Sequence, residues 1–351
     1  MDGFLLGQKS GGFEIDEEEF KCFEKAFNDF KFDIALVSFM THDVKIIQSL
    51  GGRQFFYSSD GITIQYRTGE CSYMQEDEYP QFIADPLKYT KNVDFPRRFP
   101  ELSKPYPQNY EALKKALGYY LAYIQKAAAS APYYREHCGV PCIVGGTVTA
   151  SVDYLHDFYR GMKDIMIDIR RRPQQVKDAA AALVPIIKGL IPRGADRLEP
   201  FPYTFFPLHI PTYLNKRQFE SIYWPTLKEL FDYIYGMGGK VLIALESHME
   251  HEFDFINELP KNFAICIIDD MDMNECKKAI GDTVAICGGI PSEMLKYKSK
   301  EECIDYVKDI IDTCAPGGGF APLTTRVLLA PNDVKIENLT AVNEFILGYG
   351  R

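Results

Sequence analysis

Between residues 238 and 351 the chain alternates short apolar runs with polar or glycine-rich turns, four times over. The runs are 240–245, 263–268, 283–286 and 319–322. Segments of helical character lie between them, and a last helix closes the chain. Strands alternating with helices predict βα units and a parallel sheet. In such a sheet, the polar residues just past each strand's C-terminal end lie where ligands bind. Here those residues are Glu246-Ser247-His248, Asp269-Asp270, Cys287-Gly288-Gly289 and Thr324-Thr325-Arg326.

Upstream, Phe20, Phe23, Phe27 and Phe30 recur at helical spacing, predicting an amphipathic helix over 13–31. Residues 33–40 read as a buried strand, with Thr41 or Asp43 available to cap a helix over 44–50. Two β-rich runs around Ser-Asp-Gly predict a hairpin over 54–67. Residues 76–108 mix Pro, Tyr and charge without a lasting period, so we expect a long ordered loop with at most one helical turn, of the kind that forms lids. A long helix over 109–130, a strand over 140–144 and helices over 152–169 and 174–190 follow. Residues 200–215 contain an aromatic strand ending at His209, with a helix over 216–236 after it. No linker divides the chain. We therefore expect one domain over 1–351, with N-terminal additions and a lid loop in 1–110 and most of an α/β barrel in 111–351.

Composition narrows the class. At 351 residues, with 46% hydrophobic and 25% charged positions, the chain suits a barrel of ~250 residues plus additions. Thirty-nine basic against forty-nine acidic residues give −10, which argues against nucleic acid or an anionic membrane as partner. No run reaches the ~18 apolar residues of a membrane span. The N-terminus lacks the pattern of a signal peptide, and nine scattered cysteines read as reduced thiols of a cytoplasmic protein. The absence of GxSxG, Walker and Rossmann signatures removes the commonest hydrolases, P-loop enzymes and dinucleotide enzymes.

Candidate chemistry gathers at the strand ends. Glu246 follows five apolar residues, so its carboxylate belongs at the mouth of the sheet as general base, cation site or metal ligand; otherwise it pairs with a cation or caps a helix near 250–259. His209, fixed between prolines in PLHIP, and Asp270 complete the candidate catalytic group, though Asp270 or Asp272 could instead cap the helix starting near Met273. His248 and His251 share a face if their turn is helical, as metal ligands do. Cys287 could offer a thiolate or be a buried core thiol. Arg326 could anchor a substrate carboxylate, and Tyr203 and Phe205 are candidate substrate contacts. The glycine run 317–319 precedes a strand, the wrong order for a phosphate loop.

Five segments, FYRGMKDIMIDIRRRPQQV (158–176), YWPTLKELFDYIYGMGGKVLIALES (223–247), IGDTVAICGGIPSEML (280–295), APGGGFAP (315–322) and ENLTAVNEFILGYGR (337–351), carry a further reading. In order and spacing they resemble the uroporphyrinogen decarboxylase-like proteins, closest to their cobalamin-dependent methyltransferase branch. The resemblance runs from about residue 140 to the end. It implies a (β/α)8 TIM barrel whose site lies at the strands' C-terminal mouth, and it makes a homodimer reasonable. Porphyrinogen decarboxylases carry an N-terminal RPVWxMRQAGR-like segment; the corresponding IALVSFMTHDVKII has no arginine. Corrinoid methyltransferases bind zinc through His-x-Cys and a later Cys, positions that fall here on Ala244, Glu246 and the vicinity of Thr325-Arg326. Any zinc would therefore need another set, such as Glu246 with His209, His248 or Cys287. Relatives that demethylate methoxy-aromatic compounds use carboxylate and His ligands. With no DxHxxG motif, cobalamin would come with a partner corrinoid protein. The expectation is a methyltransferase component acting on a small O-, N- or S-methyl compound. The alternatives are a decarboxylase holding its acid through Arg326, and a non-catalytic ligand-binding barrel.

Overall fold

A computed structural model describes residues 17–35, 44–59, 64–66, 73–191, 203–328 and 332–349. The chain divides into two compact units, one of Met1–Ala26, Ala35–Cys142 and Ser151–Gly189, the other of Phe27–Ile34, Ile143–Ala150 and Leu190–Arg351.

In the first unit the expected hairpin forms, β1 (Phe55–Tyr57) pairing antiparallel with β2 (Ile64–Tyr66). The helix over 44–50 is Val44–Ser49, ended by Gly51 in the left-handed conformation that glycine adopts without penalty. Of the strand expected over 33–40, Ala35 bridges in parallel to Cys142; residues 36–43, with Thr41 and Asp43, lie outside the described residues.

Residues 76–108 depart from the loop the sequence suggested. They fold as a run of short helices: Tyr79–Ala84, Pro86–Tyr89, Thr90–Asp94, Phe95–Arg98 and Pro100–Ser103. Each is too short to show a hydrophobic period. Pro80, Pro86, Pro96 and Pro100 occupy first-turn positions, where no backbone N–H is needed. Asp85 and Phe99, each ahead of a proline, are forced out of the helical region and break the run.

A buried polar network holds these pieces. Arg98 pairs with Asp94 at 2.9 Å and donates to Gln54 at 3.3 Å and to the Phe158 carbonyl. Burial raises the Asp94 pKa against the pull of Arg98. Asp168, fully enclosed, accepts from Arg160 at 2.7 Å, from the Tyr79 hydroxyl at 2.9 Å and from Arg172 at 3.1 Å. Arg97 clamps Glu78 with two bonds of 2.6 and 2.8 Å, which holds that carboxyl down to about 2. Two expected helices appear as Gln108–Tyr133 and Pro173–Leu190, while the one expected over 152–169 is split into Ser151–Tyr154, Leu155–Arg160 and Gly161–Arg171.

The second unit contains a six-stranded, all-parallel sheet. Its strands are β3 (Val144–Thr147), β4 (Tyr203–Leu208), β5 (Lys240–Leu245), β6 (Ala264–Ile268), β7 (Ala285–Ile290) and β8 (Phe320–Thr324). Spatial order follows chain order from β3 to β8. A sheet wound in one direction has no reversal point, which is the barrel arrangement and not the doubly wound one. β3 begins four residues later than the strand expected over 140–144. β7 runs past the Cys-Gly-Gly turn that was expected to end it. Gly288 permits this, because a Cβ there would lie 2.5 Å from the Ile268 carbonyl oxygen of β6. Phe206, Ile243, Cys266 and Ile286 share one register row and are fully buried. The Phe206 ring meets Phe231 of helix Trp224–Gly236 at 5.2 Å, so this is the helix-covered face. The alternate positions Tyr203, Phe205 and Pro207 point to the other face and are only half-buried.

Candidate active site

Register decides which strand-end residues meet. Leu208 of β4 pairs with Leu245 of β5, and Leu245 with Ile268 of β6. The next residue on each strand is therefore His209, Glu246 and Asp269, three neighbours in one row at the sheet's C-terminal rim. His209 Nε2 stands 3.8 Å from Glu246 Oε1, an ion-pair distance when the imidazole is charged. Both side chains are partly exposed, so substrate can reach them.

Asp269 organises the rim around this pair. Its Oδ2 accepts from the Ser247 backbone N–H at 3.2 Å, and its Oδ1 from Arg326 Nε at 3.4 Å. Ser247 has φ 64°, a left-handed conformation uncommon for a residue with a side chain. The Asp269 bond holds the backbone in that turn, immediately after Glu246. Asp269 and Ser247 stood among the strand-end residues of the sequence, but the catalytic group drawn from it took Asp270 instead. Choosing the first residue after each apolar run, rather than the second, would have picked Asp269.

The other candidates lie elsewhere. Asp270 is largely exposed and reaches outward to Arg326 at 3.9 Å. Arg326 also faces Glu293 at 3.8 Å, so three carboxylates surround its guanidinium. It is engaged before any substrate carboxylate arrives. Cys287 shares the row of Ala244 and Ile267, two residues and about 6.6 Å below the rim. Burial pushes its thiol up to about 12, so it is not a thiolate at neutral pH. The two histidines of HMEH do not act together. Their turn is a short 3-10 helix, Glu250–Glu252, with helix Phe253–Ile256 after it. His248 is exposed beside Glu250 at 3.6 Å, while His251 Nε2 donates to the Leu214 carbonyl at 2.8 Å. Asp272 caps helix Met273–Ile280 by accepting from Glu275 N.

Within this unit, the described residues bring no three His, Cys, Asp or Glu ligand atoms together. Of the four expected zinc ligands only His209 and Glu246 approach each other. A thiolate zinc site does not fit here: Ala244 and Glu246 stand where its His and Cys would be, and Cys287 is a buried thiol.

Against this geometry, the sequence matches the family described as uroporphyrinogen decarboxylase (URO-D) over residues 88–341. The chain belongs to the URO-D family. Its six parallel strands in sequential order are those of that family's barrel, with helices and a hairpin added N-terminally. Among solved structures, a methyltransferase from Methanosarcina mazei shares the fold, with a TM-score of 0.56 at 11% identity, covering 96% of this chain and 87% of that one. A B12-independent methionine synthase from Shewanella sp. W3-18-1 gives a TM-score of 0.43 at 14% identity, covering 63% of this chain and 66% of that one. No curated protein matches the sequence. Among the described residues, no helix of this URO-D family member is long and apolar enough to cross a membrane.

One buried acid near the rim carries a pH prediction. Glu252 is fully enclosed, and among the described residues neither carboxyl oxygen has a hydrogen-bond partner, although His251 Nε2 lies 2.9 Å away. Burial pushes its pKa up to about 8, against the pull of Lys216. The unfolded chain ionises this group in the usual carboxylate range and the folded chain does not. Stability contributed by neutral Glu252 is therefore full at low pH and declines as pH rises toward 8. Urea titrations of Glu252→Gln should show a flatter pH dependence between 5 and 8 and a more stable protein at pH 8. An unchanged slope would show that Glu252 ionises freely in the fold.

Proposed function

We infer that this chain is a methyltransferase component that moves a methyl group between a small, neutral or cationic methylated compound and a separate corrinoid protein. The observation that carries this reading is the charge arrangement at the rim. Within the two residues that follow each of β3 to β8, only Arg326 bears a fixed positive charge, and Asp269, Asp270 and Glu293 already surround it. That argues against a decarboxylase, which needs free cations for its acid. It leaves Glu246 and His209 beside each other at the rim, on the same side of the sheet as Tyr203 and Phe205.

In this reading a small substrate lies at the rim beside His209 and Glu246, on the face of β4 that also carries Pro207. For a neutral donor, His209 holds a proton at Nε2 and gives it to the heteroatom as the methyl carbon leaves; a cationic donor departs as a neutral amine and needs no proton, and Glu246 then faces its positive charge. Glu246 stabilises the imidazolium and keeps its ring aimed, while Asp269 fixes the turn that carries Glu246. Cobalamin, brought by the partner, supplies the nucleophile. No step is assigned to zinc, because the thiolate donor set is missing.

The test uses free cob(I)alamin with trimethylammonium, methoxybenzene and methylthioacetate as donors, following loss of the Co(I) absorbance. Transfer from the cation or the neutral ether, with little from the anion, is the expected result. Carbon dioxide release from a carboxylic acid without methyl transfer from any donor would replace this reading with decarboxylation. Neutralising the ring of acids by Asp270→Asn should improve the anionic donor several-fold, if charge sets the preference.

A further inference from the structure

We propose that Met271 is a peroxide-sensitive modification site: its sulfur holds the turn that carries Glu246, and oxidation to the sulfoxide releases that turn. Three contacts fix the segment just after β5, and each comes from the loop of a neighbouring strand. The Ser247 N–H donates to Asp269 Oδ2 at 3.2 Å, the His248 carbonyl accepts from Thr212 Oγ1 at 3.3 Å, and the Met249 N–H donates to Met271 Sδ at 3.3 Å. The third contact is the unusual one. A thioether sulfur is a weak acceptor, yet it serves here the backbone of a residue that is 1% exposed. A buried N–H that loses its acceptor is destabilising.

Both ends of this contact are anchored. The Met249 side chain is enclosed, and its carbonyl accepts from the Glu252 N–H at 3.0 Å. Met271 sits between Asp269, which binds Ser247 and Arg326, and Asp272, which caps helix Met273–Ile280. The half-buried Met271 is open to a small oxidant, whereas Met249 and Met273 are 1% and 6% exposed. In the reaction with hydrogen peroxide, a sulfur lone pair attacks one peroxide oxygen. The S–O bond forms as the O–O bond breaks, and the proton of the transferred oxygen passes to the departing hydroxide. The products are the sulfoxide and water; sulfur has lost the two electrons that the peroxide gained. The new oxygen is a good acceptor, but sulfur already stands 3.3 Å from the Met249 nitrogen. An N–H···O bond of about 2.9 Å together with the S–O bond does not fit in that space, so the two groups must part. Ser247, at φ 64°, lies within the released segment. Such a conformation persists only where its surroundings over-determine it, so the turn relaxes and Glu246 shifts with it.

The test treats the full chain with dilute hydrogen peroxide, maps sulfoxides by peptide mass spectrometry and follows amide hydrogen exchange over 247–249. Met271 and the 44% exposed Met237 should be converted, and Met249 and Met273 should not. Exchange at the Met249 amide should then quicken about 10-fold or more. Met271→Gln, whose amide carbonyl stands in for the sulfoxide oxygen, should exchange this fast without peroxide. Met271→Leu keeps the bulk but offers no acceptor; it should also exchange fast and gain nothing further from peroxide. The effect on methyl transfer rests on the function proposed above. There kcat of the oxidised wild type should fall about 10- to 100-fold, since a small misplacement of a reacting group costs that much. A methionine sulfoxide reductase with a dithiol should restore it, and the dithiol alone should not. Met237→Leu should respond to peroxide as wild type does. Met271 left intact while Met237 is converted, or unchanged exchange at 247–249 once Met271 is oxidised, would overturn the proposal. Absence of methyl transfer in the untreated protein would instead overturn the preceding reading, and the exchange result alone would then decide this one.

Discussion

Glu246→Gln should lower the turnover of methyl transfer by about 100- to 1,000-fold while leaving KM within a few-fold. Glutamine keeps the shape of the side chain but cannot stabilise a charged imidazole 3.8 Å away. The loss belongs in kcat, because charge on His209 matters most while the heteroatom is leaving. His209→Ala should cost a similar factor. Two groups that work as one unit are not additive, so the double variant should be little worse than either single one. Asp270→Asn, on the outward side of Arg326, serves as the control and should stay within a few-fold for neutral donors. Normal kcat in Glu246→Gln would remove the carboxylate–imidazole pair from the reaction.

The largest stability effect is expected in the other unit. Asp168→Ala should destabilise the fold by about 3–5 kcal/mol, because it strands the buried Arg160 guanidinium without its counter-charge. Arg160 donates to Asp168 at 2.7 Å, and Tyr79 and Arg172 lose the same acceptor. Urea unfolding followed by far-ultraviolet circular dichroism measures the change. Replacing both partners, Arg160→Met with Asp168→Leu, should recover most of it, since an apolar pair of similar volume often substitutes for a buried ion pair. A loss below about 1 kcal/mol in Asp168→Ala would mean that water reaches Arg160 and satisfies it.

This second prediction also shows what the family resemblance was made of. The segment FYRGMKDIMIDIRRRPQQV contributes Arg160, Asp168 and Arg172, whose visible roles are to bridge elements of the first unit. Those residues form a buried polar network. The segments ending at VLIALES and AICGGIP did lead toward the rim, because a run of apolar residues that stops at a polar one marks a strand's exit. Glu246 and His209 were recognisable on that ground. Arg326 was also found, but as a free anchor; its engagement by Asp269, Asp270 and Glu293 depends on loops from three different strands.

What was written in local pattern was the alternation of strands and helices, and with it the parallel sheet and its reactive edge. Apolar periodicity reports how each segment meets a core, and that needs only neighbours in the chain. The helices of 76–108 escaped this logic because each lasts a turn or so and is held by partners such as Asp168 and Gln54, remote in sequence. Only the tertiary structure decided that Asp269, and not Asp270, stands beside Glu246, and that His251 and Cys287 leave the site. Pairing register sets those choices. A shift of one residue sends a side chain to the opposite face, and register is fixed by contacts between strands that no single strand contains.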